Sequence, residues 1–245
     1  MKIISDISYG SHALNKLDLY LPEQEEFDLL IYFHGGGFIG GSKTKPSRVR
    51  VMQQVAEGGV AAVSADYRLY PEAKYPDFIE DGAAAVKWAV DHFGEYGKCK
   101  RIFISGSSAG GYLTMMLCFD KRWLGAHGLS PMDFDGFIHD AGQPTAHFNV
   151  LKERGIDSRR VIVDDSAPLY HIGVDEEYPP MLFIVSDNDM ENRLEQTQLV
   201  ISTLKHFGHE REMLLVHGKH CEHGRVVDEK GVNPFAKMIL DFINK

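Results

Sequence analysis

The sequence predicts an α/β fold, a mostly parallel sheet with helices on both faces. Two observations carry this. Short apolar runs that read as buried strands alternate with segments whose apolar residues recur at helical spacing. Polar or glycine-rich clusters follow several of those runs directly, near residues 34, 108 and 189. In a parallel sheet such clusters come to the carboxyl-terminal edge, where these folds bind ligands.

Residues 17–21 alternate and stop at Pro22, as an early strand does. Residues 29–33 are an apolar run ending at His34 and three glycines, a buried strand feeding a tight loop. Val49, Met52, Val55 and Ala56 fall at helical spacing and stop at Gly58 and Gly59. Residues 60–65 form the next buried strand. Asp81 stands where it can cap a helix through Ala85, Trp88, Ala89 and His92, closed by Gly94. Residues 101–105 read as a strand, followed at once by Gly106-Ser107-Ser108-Ala109-Gly110-Gly111 and a helical pattern. Residues 118–178 read as an irregular insertion with one strand at 134–139. A long irregular stretch inside a compact domain usually serves as a lid or binding loop. A strand at 181–185 ends in Ser186-Asp187-Asn188-Asp189. A helix follows with Leu194, Thr197, Ile201 and Leu204 on one face and Gly208 as its stop. The last strand covers 212–216. Asn233 caps a final helix with Pro234 in its first turn, and Phe235, Met238, Ile239 and Phe242 face the core.

The chain has 245 residues, enough for one large domain spanning 1–245, and it carries no repeat, low-complexity segment or linker. A net charge of −9 disfavours nucleic acid and anionic membranes as partners. No stretch approaches the about 18 apolar residues that span a bilayer. The N-terminus turns acidic too early for a signal peptide. Cys99, Cys118 and Cys221 are odd in number and far apart, which suits reduced thiols and a cytoplasmic location. A homodimer is compatible with the sequence.

Gly106-Ser107-Ser108-Ala109-Gly110 matches G-x-S-x-G with Ser108 at its centre. A strand that turns sharply into a helix pushes that serine up at the strand end, and small neighbours let the backbone close. The same letters also describe an ordinary glycine-serine turn, so the strand before and the helix after are what select Ser108 as a nucleophile. Ser107 falls to packing or to supporting hydrogen bonds. His34-Gly35-Gly36-Gly37-Phe38 offers backbone amides to a carbonyl oxygen that gains charge, each donor being worth about 3 kcal/mol of barrier. Gly36 and Gly37, with Ala109 after the serine, are the expected oxyanion-hole donors, and His34 is expected to pin the loop. The loop lacks G-x-G-x-x-G spacing and a following Lys-Ser/Thr, which argues against a nucleotide site.

His34-Gly35-Gly36-Gly37-Phe38, Asp66-Tyr67-Arg68-Leu69-Tyr70-Pro71-Glu72 and Gly106-Ser107-Ser108-Ala109-Gly110-Gly111 stand in an order that resembles the hormone-sensitive-lipase-like carboxylesterase branch of the α/β-hydrolase superfamily. The three motifs cover the first half of the chain. A looser similarity runs to small arylformamidases and sugar-ester esterases. The resemblance implies an α/β-hydrolase fold, a Ser-His-Asp triad acting on a small-molecule ester, and neither cofactor nor metal. It implies that Asp66 and Arg68 support the oxyanion loop. Many members carry a cap of several tens of residues before the first motif. Here that motif begins at residue 34, so the cap is expected to be absent or nearly so. Substrate shaping then falls to 118–178, where Phe134, Phe137, His139, Asp140, Gln143 and Phe148 are candidates beside a core-packing role for each aromatic.

The family's G-x-x-D pattern after the strand fits Ser186-Asp187-Asn188-Asp189 if Ser186 takes the glycine position, which selects Asp189 as the acid. Asp187 is left as a solvated turn or helix cap. The chain order Ser, Asp, His requires a histidine after the last strand. His220 is the choice, with His223 as the alternative because the family's His-Gly-Phe ending is replaced by His220-Cys221-Glu222. The cluster His217, His220, Cys221 and His223 also admits zinc, although no second paired ligand motif exists in the chain. Cys221 as nucleophile lacks an elbow or helix N-terminus. The expected function is hydrolysis of short-acyl carboxylic esters. Amide hydrolysis of the arylformamidase type and a hydrolase-fold binding protein without turnover are the alternatives.

Overall fold

A computed structural model describes residues 1–174 and 177–245. An eight-stranded sheet runs through it in the order β1-β2-β4-β3-β5-β6-β7-β8. Strands β1 (Lys2–Ser8) and β2 (Lys16–Leu21) are antiparallel to their neighbours, β1 to β2 and β2 to β4. From β3 (Glu26–Phe33) and β4 (Val60–Ala65) onward every pairing is parallel, through β5 (Lys98–Ser107), β6 (Gly136–Asp140), β7 (Met181–Asn188) and β8 (Glu212–Lys219).

The residue pattern of β3 shows how the layers form. Leu29, Ile31 and Phe33 enter one core, while Leu30 and Tyr32 enter the other, because successive side chains leave a strand on opposite faces. The first core is covered by α2 (Asp77–His92), α3 (Ala109–Phe119), α5 (Phe148–Glu153) and α6 (Arg193–His206). The second lies under α1 (Pro46–Glu57) and α7 (Pro234–Ile243). Every residue of α3 is buried, which is why its sequence is apolar all round rather than striped. A short helix, α4 (Lys121–Gly125), continues from it, with the Asp120 side chain accepting from the Arg122 amide. At α7 the Asn233 side chain accepts from the amides of Phe235 and Ala236, as its position before Pro234 suggests.

Several details differ from the sequence reading. β1 escapes it because this edge strand has no buried residue and so no apolar signature. α2 begins a turn earlier than expected, at Asp77, so Asp81 is not its cap. Its buried carboxylate instead accepts from the Arg68 amide at 2.8 Å and from Arg68 Nε at 2.8 and 3.0 Å. The strand expected at 134–139 is β6, at 136–140. It lies between β5 and β7, so 118–178 contains a central piece of the sheet as well as loops. No helix among the described residues is long and apolar enough to cross a membrane.

Ile31 is fully buried on β3, which pairs with both β4 and β5. Ile31→Ala leaves a cavity that neighbouring strands cannot close, and it should cost about 2–5 kcal/mol. Urea unfolding should show a lower midpoint with an unchanged slope.

Candidate active site

Ser108 follows β5 directly and has φ 57° and ψ −114°, a positive φ that a serine adopts only when its surroundings impose it. The flanking glycines are required by contact. A Cβ on Gly106 would come within 2.4 Å of the Gly110 oxygen, and one on Gly110 within 2.1 Å of the Phe33 oxygen. The Ser108 amide donates to the Asp140 carbonyl at the end of β6, 2.7 Å away.

The structure brings Ser108, His220 and Asp189 together. His220 Nε2 lies 2.8 Å from Ser108 Oγ, and His220 Nδ1 lies 2.5 Å from Asp189 Oδ1. A carboxylate only accepts, so Nδ1 carries the proton and Nε2 is left to accept from the serine hydroxyl. The Asp189 side chain is almost wholly buried, and that of His220 is about one-fifth exposed. Burial alone would raise the Asp189 pKa. The hydrogen bond and charge of His220 outweigh it, with the amides of Met190 and Ser186 adding to the effect, and hold the carboxyl below its ordinary value. Ser186, in the glycine position, is fully buried and its hydroxyl donates to the Lys219 carbonyl, tying β7 to β8 just before His220.

The loop after β3 lies against this turn. A Cβ on Gly35 would meet the Ser107 oxygen at 2.8 Å and Ser108 Cβ at 2.9 Å. Gly36 and Gly37 line the cleft beside Ser108, and neither amide makes a hydrogen bond among the described residues. Ala109 is the first residue of α3, where an amide has no intrahelical acceptor. The loop is held from below. His34 is buried and stacks on Tyr67 with centroids 4.5 Å apart, and its Nε2 lies 3.2 Å from Asp66 Oδ1 without hydrogen-bond alignment. Tyr67 donates to the His34 carbonyl at 2.5 Å, and Asp66 accepts from the Lys43 amide at 2.6 Å. Asp66 therefore does support the loop. Arg68 is directed instead to Asp81, Asp77 and Glu80 on α2.

The neighbours read as alternatives sit elsewhere. His223 is buried, and its Nε2 is 2.9 Å from Asp140 Oδ1, away from the serine. Ser107 is fully buried and accepts from the Tyr32 hydroxyl at 3.0 Å. Asp187 is exposed and accepts from His217 Nδ1 and the Gly218 amide, so it caps no helix. The three histidines of the 217–223 cluster thus face three different carboxylates. Among the described residues no three His, Cys, Asp or Glu side chains converge as a metal-binding group. Cys221 Sγ lies 3.7 Å from His220 Nε2, and burial pushes its thiol well above the ordinary range, which disfavours the thiolate. Of the candidates in 118–178, Phe134, Phe137 and His139 are core residues, and Gln143 donates to the Ala146 carbonyl. Asp140 holds His223, and Phe148 lines the cleft.

Four residues near the site carried no sequence signal. Lys43 is buried and pairs with Asp18 at 2.7 Å and Asp6 at 2.8 Å, anchoring the far end of the loop after β3. Asn149 donates to the Gly37 carbonyl at 2.5 Å. Arg193, whose pKa burial pushes down to about 10 against the pull of Asp189, donates to the Ala141 carbonyl. Arg48 lines the cleft.

A strand-to-helix serine, a histidine on the last strand's loop and an acid after the strand before it, all on one sheet edge, define the α/β-hydrolase class. The chain belongs to that family: the model for the alpha/beta hydrolase fold matches residues 30–224. The relatives it resembles include proteins named as esterases and carboxylesterases. Esterase LipI of Mycobacterium tuberculosis is 39% identical over 106 residues, covering 42% of this chain and 32% of that protein. Probable carboxylesterase 7 of Arabidopsis thaliana is 31% identical over 125 residues, covering 46% and 40%. The chain thus spans less than half the length of these curated relatives. Among solved structures, a truncated carbohydrate esterase from gut microbiota superposes with a TM-score of 0.81 over 100% of this chain and 95% of that one. At 18% identity it is a likeness of fold alone.

The Asp140–His223 pair makes stability depend on pH. Burial would raise Asp140, but the His223 charge and hydrogen bond hold it below the ordinary carboxylate value. Burial would lower His223, but Asp140 holds it above the ordinary imidazole value. The Asp140 contribution is present above its unfolded pKa and lost as pH falls through its folded one. The His223 contribution is present below its unfolded pKa and lost as pH rises through its folded one. Wild-type stability relative to an Asp140→Asn/His223→Gln double variant should peak between those ranges and shrink on both sides, as read by urea unfolding across pH. Asp140→Ala alone should cost about 3–5 kcal/mol, because it leaves a buried imidazole unpaired.

Proposed function

We propose that the protein is a serine hydrolase of carboxylic esters in which Ser108 is the nucleophile, His220 the general base and Asp189 the residue that holds the base. The observation that carries this is the continuous chain of contacts from Asp189 Oδ1 through both nitrogens of His220 to Ser108 Oγ. It puts a proton acceptor within hydrogen-bond reach of the serine and a buried negative charge behind the acceptor.

In this reading His220 Nε2 takes the hydroxyl proton as Ser108 Oγ bonds to the ester carbonyl carbon. The carbonyl oxygen becomes an anion facing the amides of Gly36, Gly37 and Ala109, and the N-terminus of α3 adds positive potential there. The tetrahedral species collapses, and His220 gives its proton to the departing alcohol. Water then enters, loses a proton to Nε2 and attacks the acyl-serine. Collapse releases the carboxylic acid and returns the proton to Ser108. Asp189 keeps its charge throughout and stabilises the imidazolium. Curated relatives named as esterases and carboxylesterases agree with this chemistry.

Short acyl chains suit the cleft. It holds about 320 Å³, and its large apolar side chains are Ile39, Phe148 and Met190. Each further methylene gains about 0.8 kcal/mol only where it finds apolar surface to cover. The rate constant kcat/KM should therefore level off or fall from acetyl through decanoyl 4-nitrophenyl esters. A steady rise along that series would point to a deep acyl tunnel instead.

Substitution tests the roles. Ser108→Ala and His220→Ala should each lower kcat by several orders of magnitude, and Asp189→Asn should also be severe. Ser107→Ala and Asp187→Asn should retain most of the turnover. Fluorophosphonate labelling at any residue other than Ser108 would falsify the nucleophile. An N-formyl aromatic amine in the same panel reads the amidase alternative.

A further inference from the structure

Among the described residues, the cleft around Ser108 and His220 is lined by three cations, Lys45, Arg48 and Arg225, and by no carboxylate. In a chain of net charge −9 this is a local reversal of sign. Arg48, in the first turn of α1, is only 6% exposed. Its guanidinium makes no hydrogen bond or ion pair among the described residues, and its Nη1 is fully buried without a partner. A buried polar group left unpaired is costly, and a buried charge more so.

The carboxylate whose charge acts on Arg48 is already engaged. Asp140 attracts Arg48 from a distance but is hydrogen-bonded to His223. The fold nevertheless keeps the guanidinium in place. It lies 6.0 Å from the centroid of the Tyr32 ring, and a Cβ on Gly224 would come within 2.7 Å of Nη1. Two exposed cations flank it. Lys45 immediately precedes α1, whose first turn carries no acid, and Arg225 follows the one-turn segment after His220. The N-terminus of α1 adds positive potential at the same place.

We propose that Arg48, aided by Lys45 and Arg225, binds an anionic group on the substrate, and that the substrate class is an ester bearing a carboxylate. A single guanidinium fork matches the two oxygens of one carboxylate. This inference rests on the ester-hydrolase reading above.

The test uses the purified full chain and two pairs of esters. 4-Nitrophenyl hydrogen glutarate against 4-nitrophenyl valerate reads an anion on the acyl side. 3-Acetoxybenzoate against phenyl acetate reads one on the alcohol side. In one pair kcat/KM should favour the anionic member by about tenfold or more, a preference that added salt reduces. Arg48→Gln should lower the anionic-to-neutral ratio by about 10- to 100-fold, the range of a hydrogen bond to a charged partner. If Arg48→Gln does not fold, as read by circular dichroism, the surface double variant Lys45→Gln/Arg225→Gln carries the test and should lower the same ratio. Turnover of neutral esters with no anionic preference in either pair, or a preference that these variants leave intact, overturns this inference alone. Stronger inhibition by inorganic phosphate than by glutarate overturns the carboxylate assignment. Folded protein that hydrolyses none of these esters overturns the ester-hydrolase reading together with this one.

Discussion

Ser108 sits at φ 57° with a side chain, a backbone state that costs a non-glycine residue about 1–3 kcal/mol. Close packing on all sides holds it there. β5 delivers the chain, α3 takes it away, and the contacts of Gly106 with Gly110 and of Gly110 with Phe33 leave no room for a wider turn. The Asp140 carbonyl closes the turn from β6. Because the turn is rigid, the hydroxyl occupies one position. The loop after β3, the end of β7 and the loop after β8 must all be built to that point.

Buried or half-buried carboxylates do much of that building. Asp66 holds the loop after β3, Asp81 holds Arg68 beneath the following segment, Asp140 holds His223, and Asp189 holds His220. Each is followed by, or joined to, a loop, and in the loop after β3 the buried ring of Phe38 anchors the chain as well. A carboxylate accepting several charged or amide donors gives such a loop one geometry at a cost in desolvation. Asp140 and Asp189 illustrate the division of labour within one turn of chain. His223 is locked in the interior, and three residues earlier His220 keeps one edge toward the cleft.

The electrostatics of the cleft follow from this arrangement. These four carboxylates are spent beneath the surface, whereas Lys45, Arg48 and Arg225 reach the cleft without acidic partners among the described residues. A chain that is acidic as a whole therefore offers a basic floor beside the serine. Composition reports only the average and hides such a patch.

Much of the fold was legible because buried parallel strands and helices leave strong periodic signals, as at residues 29–33, 60–65 and 181–185. The sharp turn at Ser108 was legible because such a turn needs small residues at fixed positions on both sides of it. β1 was silent because an exposed edge strand needs no apolar pattern, and the early start of α2 was hidden because Asp81 reads equally well as a cap. By itself the sequence determined the order of strands and helices, the serine turn and the glycine loop, since each depends on neighbours a few residues away. Which histidine reaches Ser108, what Asp81 and Asp140 hold, and that Arg48 lines the cleft were decided only in three dimensions. Those pairings join residues 13 to 112 positions apart, and burial and distance select among chemically identical side chains only after the chain has folded.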